Sequence, residues 1–255
     1  LPPVELTESE TELAGNFDGI GIQFNVPNDT AIVLSVIPGG PSEKAGLIQG
    51  DRIINVGGKN IAGTKTPQDS MVRMMKGPSG SKVKIMISRD GNMIPFELTR
   101  DKIPVHCIDA AFMLDETTGY IKLSKFSRTT YKEFTEAADN LLKQGMKRLI
   151  FDLRDNTGGY LDQALRLSNE FLAKGDGIVY MEGRERPRQD YDADGRGRLQ
   201  EVELSVLIND GSASSSEIFA GAIQDNDRGV IVGRRSFGKG LVQEPINFTD
   251  GSGIR

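Results

Sequence analysis

Residues 204–208, Leu-Ser-Val-Leu-Ile, form a short apolar run that Asn209-Asp210-Gly211 breaks. Ile218, Phe219, Ala222 and Ile223 then recur at helical spacing, which predicts strand, tight turn and helix in immediate succession. A chain with so tight a βα unit has few architectures open to it, because repeated units of this kind build a sheet covered by helices. The turn itself, Gly211-Ser212-Ala213-Ser214-Ser215-Ser216-Glu217, crowds four hydroxyls at a helix N-terminus. Unpaired N–H groups and the helix dipole favour negative charge there, which suits a nucleophile that generates an oxyanion. The commoner use of such a pattern is helix capping, and Ser214-x-x-Glu217 is a capping box. Sequence alone does not choose Ser214 over Ser212, Ser215 or Ser216.

The same rhythm recurs upstream. Tyr120-Ile121-Lys122-Leu123 is a strand after Gly119, and residues 130–144 are an amphipathic helix with Phe134, Ala137, Ala138, Leu141 and Leu142 on one stripe. Gly145 ends that helix. Residues 149–153 read as a buried strand, residues 161–173 as a helix, and residues 230–232 as a further short strand. Between the first two, Arg154-Asp155-Asn156-Thr157-Gly158-Gly159 is a turn whose glycines let the backbone approach a ligand closely. Asp152 and Arg154 are expected to pair. Residues 182–200, rich in Arg, Asp and Gly, are expected to be a solvated loop near a substrate cleft. Asp190-Tyr191-Asp192-Ala193-Asp194-Gly195 outlines a calcium loop with Glu201 at the twelfth position, but residues 202–208 read as strand where a flanking helix is needed. No metal and no cofactor site follows.

Residues 15–102 make a different unit. Phe17-Asp18-Gly19-Ile20-Gly21-Ile22-Gln23-Phe24 opens a strand behind two glycines, and residues 31–36 are a second strand. Residues 41–47 are a short helix closed by Gly46, residues 50–56 turn into a third strand, and Gly57-Gly58 is a hairpin turn. A helix over 66–75 and a strand over 83–89 ending at Asp90-Gly91 complete it.

Composition narrows the chemistry. The chain has 255 residues, a net charge of −5 with scattered basic residues, and no apolar run near a membrane span, which gives no support to nucleic-acid binding. It has one histidine and one cysteine, so a disulfide framework is excluded and His-assisted chemistry has few possible parts. His106 has no neighbours at metal-ligand spacing and is expected to be structural or exposed. Lys239, within Ser236-Phe237-Gly238-Lys239-Gly240, is the natural alternative base. A lysine pressed into a buried site after the 230–232 strand, beside Phe237 and Val242, loses its proton more easily.

The residues 212–218, Gln224-Asp225-Asn226, Ser236-Phe237-Gly238-Lys239-Gly240 and Gln243 resemble the core of the carboxy-terminal processing (tail-specific) serine proteases. The resemblance implies a crotonase-like α/β core, with Ser214 as nucleophile, Lys239 as general base and Gln243 orienting the lysine. It places the oxyanion hole at the N–H groups of Ser215 and Gly158, with Gly159 the competitor, and makes Asp225 structural. The family's usual alanine after the nucleophile is Ser215 here. Pro41-Ser42-Glu43-Lys44-Ala45-Gly46-Leu47 with Gly50-Asp51-Arg52-Ile53 resembles a PDZ domain, inserted in the protease. That implies a site for peptide C-termini at Gly19, Ile20, Gly21 and Ile22, with Phe24 and the 66–75 helix lining the side-chain pocket.

The expected domains are therefore a polar linker over 1–14 leading from an N-terminal helical region, a PDZ domain over 15–102, and a Ser–Lys protease core over 103–255 truncated at its C-terminus. The expected partners are protein or peptide C-termini, and a homo-oligomer would assemble through terminal regions outside this chain. By family analogy the compartment is the bacterial periplasm or another extracytoplasmic space, and the sequence carries no signal peptide to decide it. Two rivals stand beside this reading. One is a PDZ scaffold with a silent protease domain, the other a crotonase-type acyl-CoA enzyme, which has no need of a Ser214–Lys239 pair.

Overall fold

The computed structural model describes residues 15–243, 246–250 and 252–254. The expected 1–14 linker lies outside the described residues. The chain divides into two compact units, one over Asn16–Val105 and one that takes Gly15 and the residues from His106 onward.

In the smaller unit, β1 (Asn16–Gly19) pairs antiparallel with β8 (Asp101–Pro104), which ties its two ends together. A six-stranded sheet contains β2 (Ile22–Asn25), β3 (Ala31–Val36), β4 (Arg52–Val56), β5 (Lys59–Asn60), β6 (Lys82–Arg89) and β7 (Asn92–Thr99), in the order β2-β3-β4-β6-β7 with β5 beside β4. The single strand expected across 17–24 is broken at Gly21, whose φ of +75° turns the chain. Helix α1 (Pro41–Ala45) closes on Gly46 in the left-handed conformation, as the sequence predicts, and α2 (Gln68–Met75) begins after Pro67. Gly57-Gly58 and Asp90-Gly91 make the two hairpin turns, all four residues having positive φ. Alternate residues of the strands (Val33, Ile53, Ile85, Ile87, Leu98) meet Ile20, Met71 and Met75 in one core, with Ile22 and Phe24 packed on it. Strand β2 lies at one edge of the sheet.

The larger unit is a mixed five-stranded sheet in the order β15-β14-β11-β10-β9. Its strands are β9 (Ile108–Met113), β10 (Thr118–Leu123), β11 (Arg148–Asp152), β14 (Glu203–Ile208) and β15 (Val230–Gly233). β10, β11, β14 and β15 are parallel, and β9 runs antiparallel along β10. Helices α3 (Thr130–Lys143), α4 (Leu161–Asn169) and α5 (Ser215–Asp225) fall between the strands, giving the predicted α/β alternation. Phe134 of α3, Phe151 of β11, Phe219 of α5 and Phe171 lock edge to face, with centroids 5.1–6.1 Å apart. Each such pair adds about 0.5–1.5 kcal/mol to its burial, so α3 and α5 are pinned to the central strand by rings rather than by loop length.

Two segments differ from expectation. Residues 108–113, to which the sequence reading assigns no element, are the edge strand β9, stabilised by the Phe112–Tyr120 cross-strand ring pair at 5.2 Å. The 182–200 stretch, read as a solvated loop, contributes to an antiparallel hairpin of β12 (Gly177–Gly183) and β13 (Arg186–Asp192). Arg188 stacks 4.0 Å over Tyr180 and pairs with Asp190 at 2.7 Å, so Asp190 belongs to a strand and an ion pair. Strands β16 (Ile246–Asn247) and β17 (Gly253–Ile254) form a last small hairpin. Among the described residues no helix is long and apolar enough to cross a membrane, and no cluster of His, Cys, Asp or Glu could hold a metal ion.

Candidate active site

The parallel strands β11, β14 and β15 end side by side, and three loops leave their carboxyl ends: residues 153–160, 209–214 and 234–243. In open α/β sheets this edge is where ligands bind. The serine-rich turn, the Gly-Gly turn and the lysine loop all lie on it.

The serine turn is held by its own hydroxyls. Ser212 is fully buried, takes the Asn209 N–H at 3.0 Å and donates to Leu153 O at 2.8 Å. Ser215 donates to Gly159 O at 3.0 Å and Ser216 to Asn156 O at 2.8 Å, both buried. Three of the four serines thus fasten the β14–α5 turn to the loop after β11. Ser214 differs: it is only half-buried, it is the N-cap of α5, and its backbone sits at φ 55°, ψ −112°. A non-glycine residue in such a conformation costs about 1–3 kcal/mol and persists only where its surroundings impose it. The capping box with Glu217 forms as the sequence predicts.

Gly158 and Gly159 lie against this turn. Gly158 has φ +96°, and a Cβ there would stand 2.7 Å from Ala213 O, 2.9 Å from Ser214 Cβ and 2.9 Å from Ser215 N. Only glycine lets the two loops approach this closely. Gly158 N–H donates to Asn156 Oδ1 at 2.9 Å. Gly159 N–H and Ser215 N–H have no hydrogen-bond acceptor among the described residues.

Asn156 received no role from sequence reasoning, yet it joins its own loop to the end of β10 and to the serine turn. It is fully buried, its Nδ2 donates to Leu123 O, and its own carbonyl accepts the Ala213 N–H and the Ser216 hydroxyl. Its place within Asp155-Asn156-Thr157-Gly158-Gly159 was the only signal available. Asp152 and Arg154 form the expected ion pair at 2.6 Å, with Tyr120 Oη donating to Asp152 at 2.7 Å. Burial acts to raise the Asp152 carboxyl, but the Arg154 and Tyr120 hydrogen bonds outweigh it and hold it below the usual aspartate range.

Lys239 is half-buried, and its Nζ donates to Gln243 Oε1 at 3.0 Å. Among the described residues no carboxylate pairs with this amine. The apolar wall expected around it is not closed: Phe237 is 69% and Val242 60% exposed, and Val230 and Val232 lie exposed on β15, one edge of the sheet. An edge strand has no neighbour to cover it, so adjacency in sequence did not become burial. The loop is held instead by Glu217, which accepts the Ser236 hydroxyl and the N–H groups of Gly238 and Lys239 at 2.6–2.8 Å. Burial alone would raise the Glu217 carboxyl, but these bonds and the Ser214 N–H keep it below the usual glutamate range.

The other single-copy residues lie apart from this chemistry. His106 is largely exposed, 3.5 Å from Glu133, and Cys107 is fully buried under Thr130. In the smaller unit, the turn at Gly19, Ile20, Gly21 and Ile22 is anchored by Ser42, whose N–H and hydroxyl both donate to Ile20 O.

Residues 117–255 match the family model of Peptidase family S41, and residues 19–99 match that of the PDZ domain. The chain is 36% identical over 244 residues to the carboxy-terminal processing protease CtpA of Bacillus subtilis (strain 168), covering 95% of this chain and 52% of that protein. It is 34% identical over 250 residues to a probable CtpA-like serine protease of Staphylococcus aureus (strain N315), covering 97% and 50%. The chain therefore spans about half the length of the curated relatives it matches. Among solved structures, the photosystem II D1 C-terminal processing protease superposes with a TM-score of 0.54 at 31% identity, covering 99% of this chain and 69% of that one. The tricorn protease shares the fold at 18% identity and a TM-score of 0.52. The chain belongs to Peptidase family S41 and carries a PDZ domain.

Proposed function

We propose that this chain is the catalytic and peptide-binding part of a serine endopeptidase that cuts proteins recognised by their C-terminal tails. The observation that carries the proposal is the difference among the four serines. Ser212, Ser215 and Ser216 are buried and give their protons to main-chain carbonyls, whereas Ser214 is half-buried, strained and makes no such donation among the described residues. A cap uses the serine oxygen as acceptor, so the capping role leaves the proton of Ser214 to be given away.

In the mechanism, Lys239 in its neutral form takes the proton from Ser214 Oγ as that oxygen attacks the scissile carbonyl. Gln243 orients the amine with a neutral amide oxygen, which stabilises the ammonium form less than a carboxylate would. The tetrahedral oxyanion lies at the N-terminus of α5, where Ser215 N–H has no acceptor among the described residues. The second donor is a glycine N–H, and since Gly158 N–H is already given to Asn156, Gly159 is the better supported of the two. The lysine returns its proton to the leaving amine, and water then cleaves the acyl-enzyme. We place the core in the crotonase-like group on this sheet order and oxyanion position.

The PDZ unit presents β2 as an edge strand behind the Gly21 turn, which is the arrangement for adding an extended peptide as a strand, its terminal carboxylate on the Gly19–Ile22 turn. An extracytoplasmic site of action accompanies this reading, by analogy alone. The test is cleavage of a protein substrate by the wild type and by Ser214→Ala, with folding checked by circular dichroism. Loss of cleavage in a folded variant supports the proposal, and cleavage at the wild-type rate moves the nucleophile elsewhere. A silent scaffold would leave both proteins equally inactive.

A further inference from the structure

We infer that Glu217 is the positioning residue that holds the nucleophile turn and the base loop in register. This rests on the Ser214–Lys239 reading above. One Glu217 carboxylate oxygen accepts the backbone N–H of Ser214 at 2.8 Å and that of Lys239 at 2.8 Å. The other accepts the Ser236 hydroxyl at 2.7 Å and the Gly238 N–H at 2.6 Å. A single side chain thus touches the main chain of both proposed reacting residues, which lie on separate loops.

Little else secures the base loop. Phe237, Leu241 and Val242 are 69%, 77% and 60% exposed, so apolar packing does not fix it. Among the described residues, the ties from residues 235–243 to the rest of the unit are the Phe237 N–H to Ser212 O, at 3.0 Å, and the three bonds to Glu217. Hydrogen bonds to an ionised acceptor are about twice as strong as neutral ones, so the carboxylate outweighs the remaining tie. The chemistry of the acceptor also matters. Ser214, Gly238 and Lys239 present N–H groups, which only donate, and a carboxylate offers acceptor sites on both oxygens. A capping residue alone needs only its bond to Ser214; the other three bonds go beyond what helix capping requires.

The test uses the full-length protein, Glu217→Gln, Ser236→Ala and Ser214→Ala. Glutamine is isosteric but turns one oxygen into an NH2 group. That group can meet the Ser236 hydroxyl, which can accept, but it cannot meet the Gly238 N–H. We expect kcat to fall on the order of tenfold or more in Glu217→Gln with KM changed less than about threefold, since an aligned pair is lost rather than substrate binding. Hydrogen exchange at the Gly238 and Lys239 amides should quicken by on the order of tenfold while the β11 amides keep their protection. Ser236→Ala removes one leg and leaves the cap intact, and should cost a few-fold in kcat; it stands in if Glu217→Gln does not fold. Wild-type kcat in Glu217→Gln, or unchanged exchange at residues 238 and 239, overturns the inference. If Ser214→Ala still cleaves, the dyad reading fails instead, and the exchange result still decides whether Glu217 tethers the loop.

Discussion

Replacing Gly158 by alanine puts the proposed geometry under its most local stress. The new Cβ would fall short of ordinary contact, 3.4 Å, by 0.7 Å at Ala213 O and by 0.5 Å at Ser214 Cβ and Ser215 N. None of the three is the far end of a flexible chain, so the serine turn itself must retreat. A misplacement of about 1 Å can cost on the order of 100-fold in rate, which sets the expected loss between about tenfold and 100-fold. The positive φ adds about 1–3 kcal/mol of backbone strain, or a few degrees in melting temperature for a unit of this size. Gly159→Ala is the comparison. Its Cβ would lie 2.0 Å from Phe126 O, against a fully buried residue and the only bridge between those segments named among the described residues. Stability should therefore suffer more in that variant than in Gly158→Ala. The assay is the rate of labelling by a serine-directed phosphonate beside a thermal melt. Gly158→Ala labelled at the wild-type rate with an unchanged melt would refute the close approach of the two loops.

Three other expectations follow from separate parts of the structure. Gln243→Glu puts a carboxylate 3.0 Å from the Lys239 amine and should move the basic-side midpoint of kcat/KM upward and slow turnover near neutrality; an unmoved profile would remove Gln243 from the site. Cys107 is fully buried, and its thiol is pushed up to about 11 by burial first and by the nearby Glu133 charge, partly offset by the Thr130 hydrogen bond. It should resist iodoacetamide at pH 8 in the native protein and react only after unfolding, as followed by mass spectrometry. A peptide with a free C-terminus should bind the PDZ unit more tightly than its carboxamide in calorimetry, because a backbone turn satisfies a carboxylate; equal affinities would remove the Gly19–Ile22 turn as a carboxylate site.

Much of the fold was legible because periodicity and turn chemistry are local. The apolar run at 204–208, the stripe from Phe134 to Leu142 and the Gly57-Gly58 and Asp90-Gly91 turns each specify their own element. Strand β9 was not legible, since an edge strand with Phe112 half out of the core shows no clean alternation and is fixed by Tyr120 across the sheet. The β12–β13 hairpin was hidden for a related reason: its second strand, Arg186–Asp192, is almost wholly polar and exposed. At the site, motif spacing found the residues but not their connections. Asn156 and Glu217 look like a turn residue and a cap in sequence, and only the folded chain brings their acceptors to three separate loops. The burial expected of Lys239 failed because an edge strand beside it in sequence does not enclose it.

In the proposed mechanism Ser214, alone among the four serines of the turn, is the nucleophile. Labelling the full-length protein with a serine-directed phosphonate, followed by peptide mapping in the mass spectrometer, tests this most directly. One adduct is expected, on Ser214, with labelling slowed in Lys239→Ala. An adduct on Ser212, Ser215 or Ser216, or none on a protein that cleaves its substrate, would contradict it.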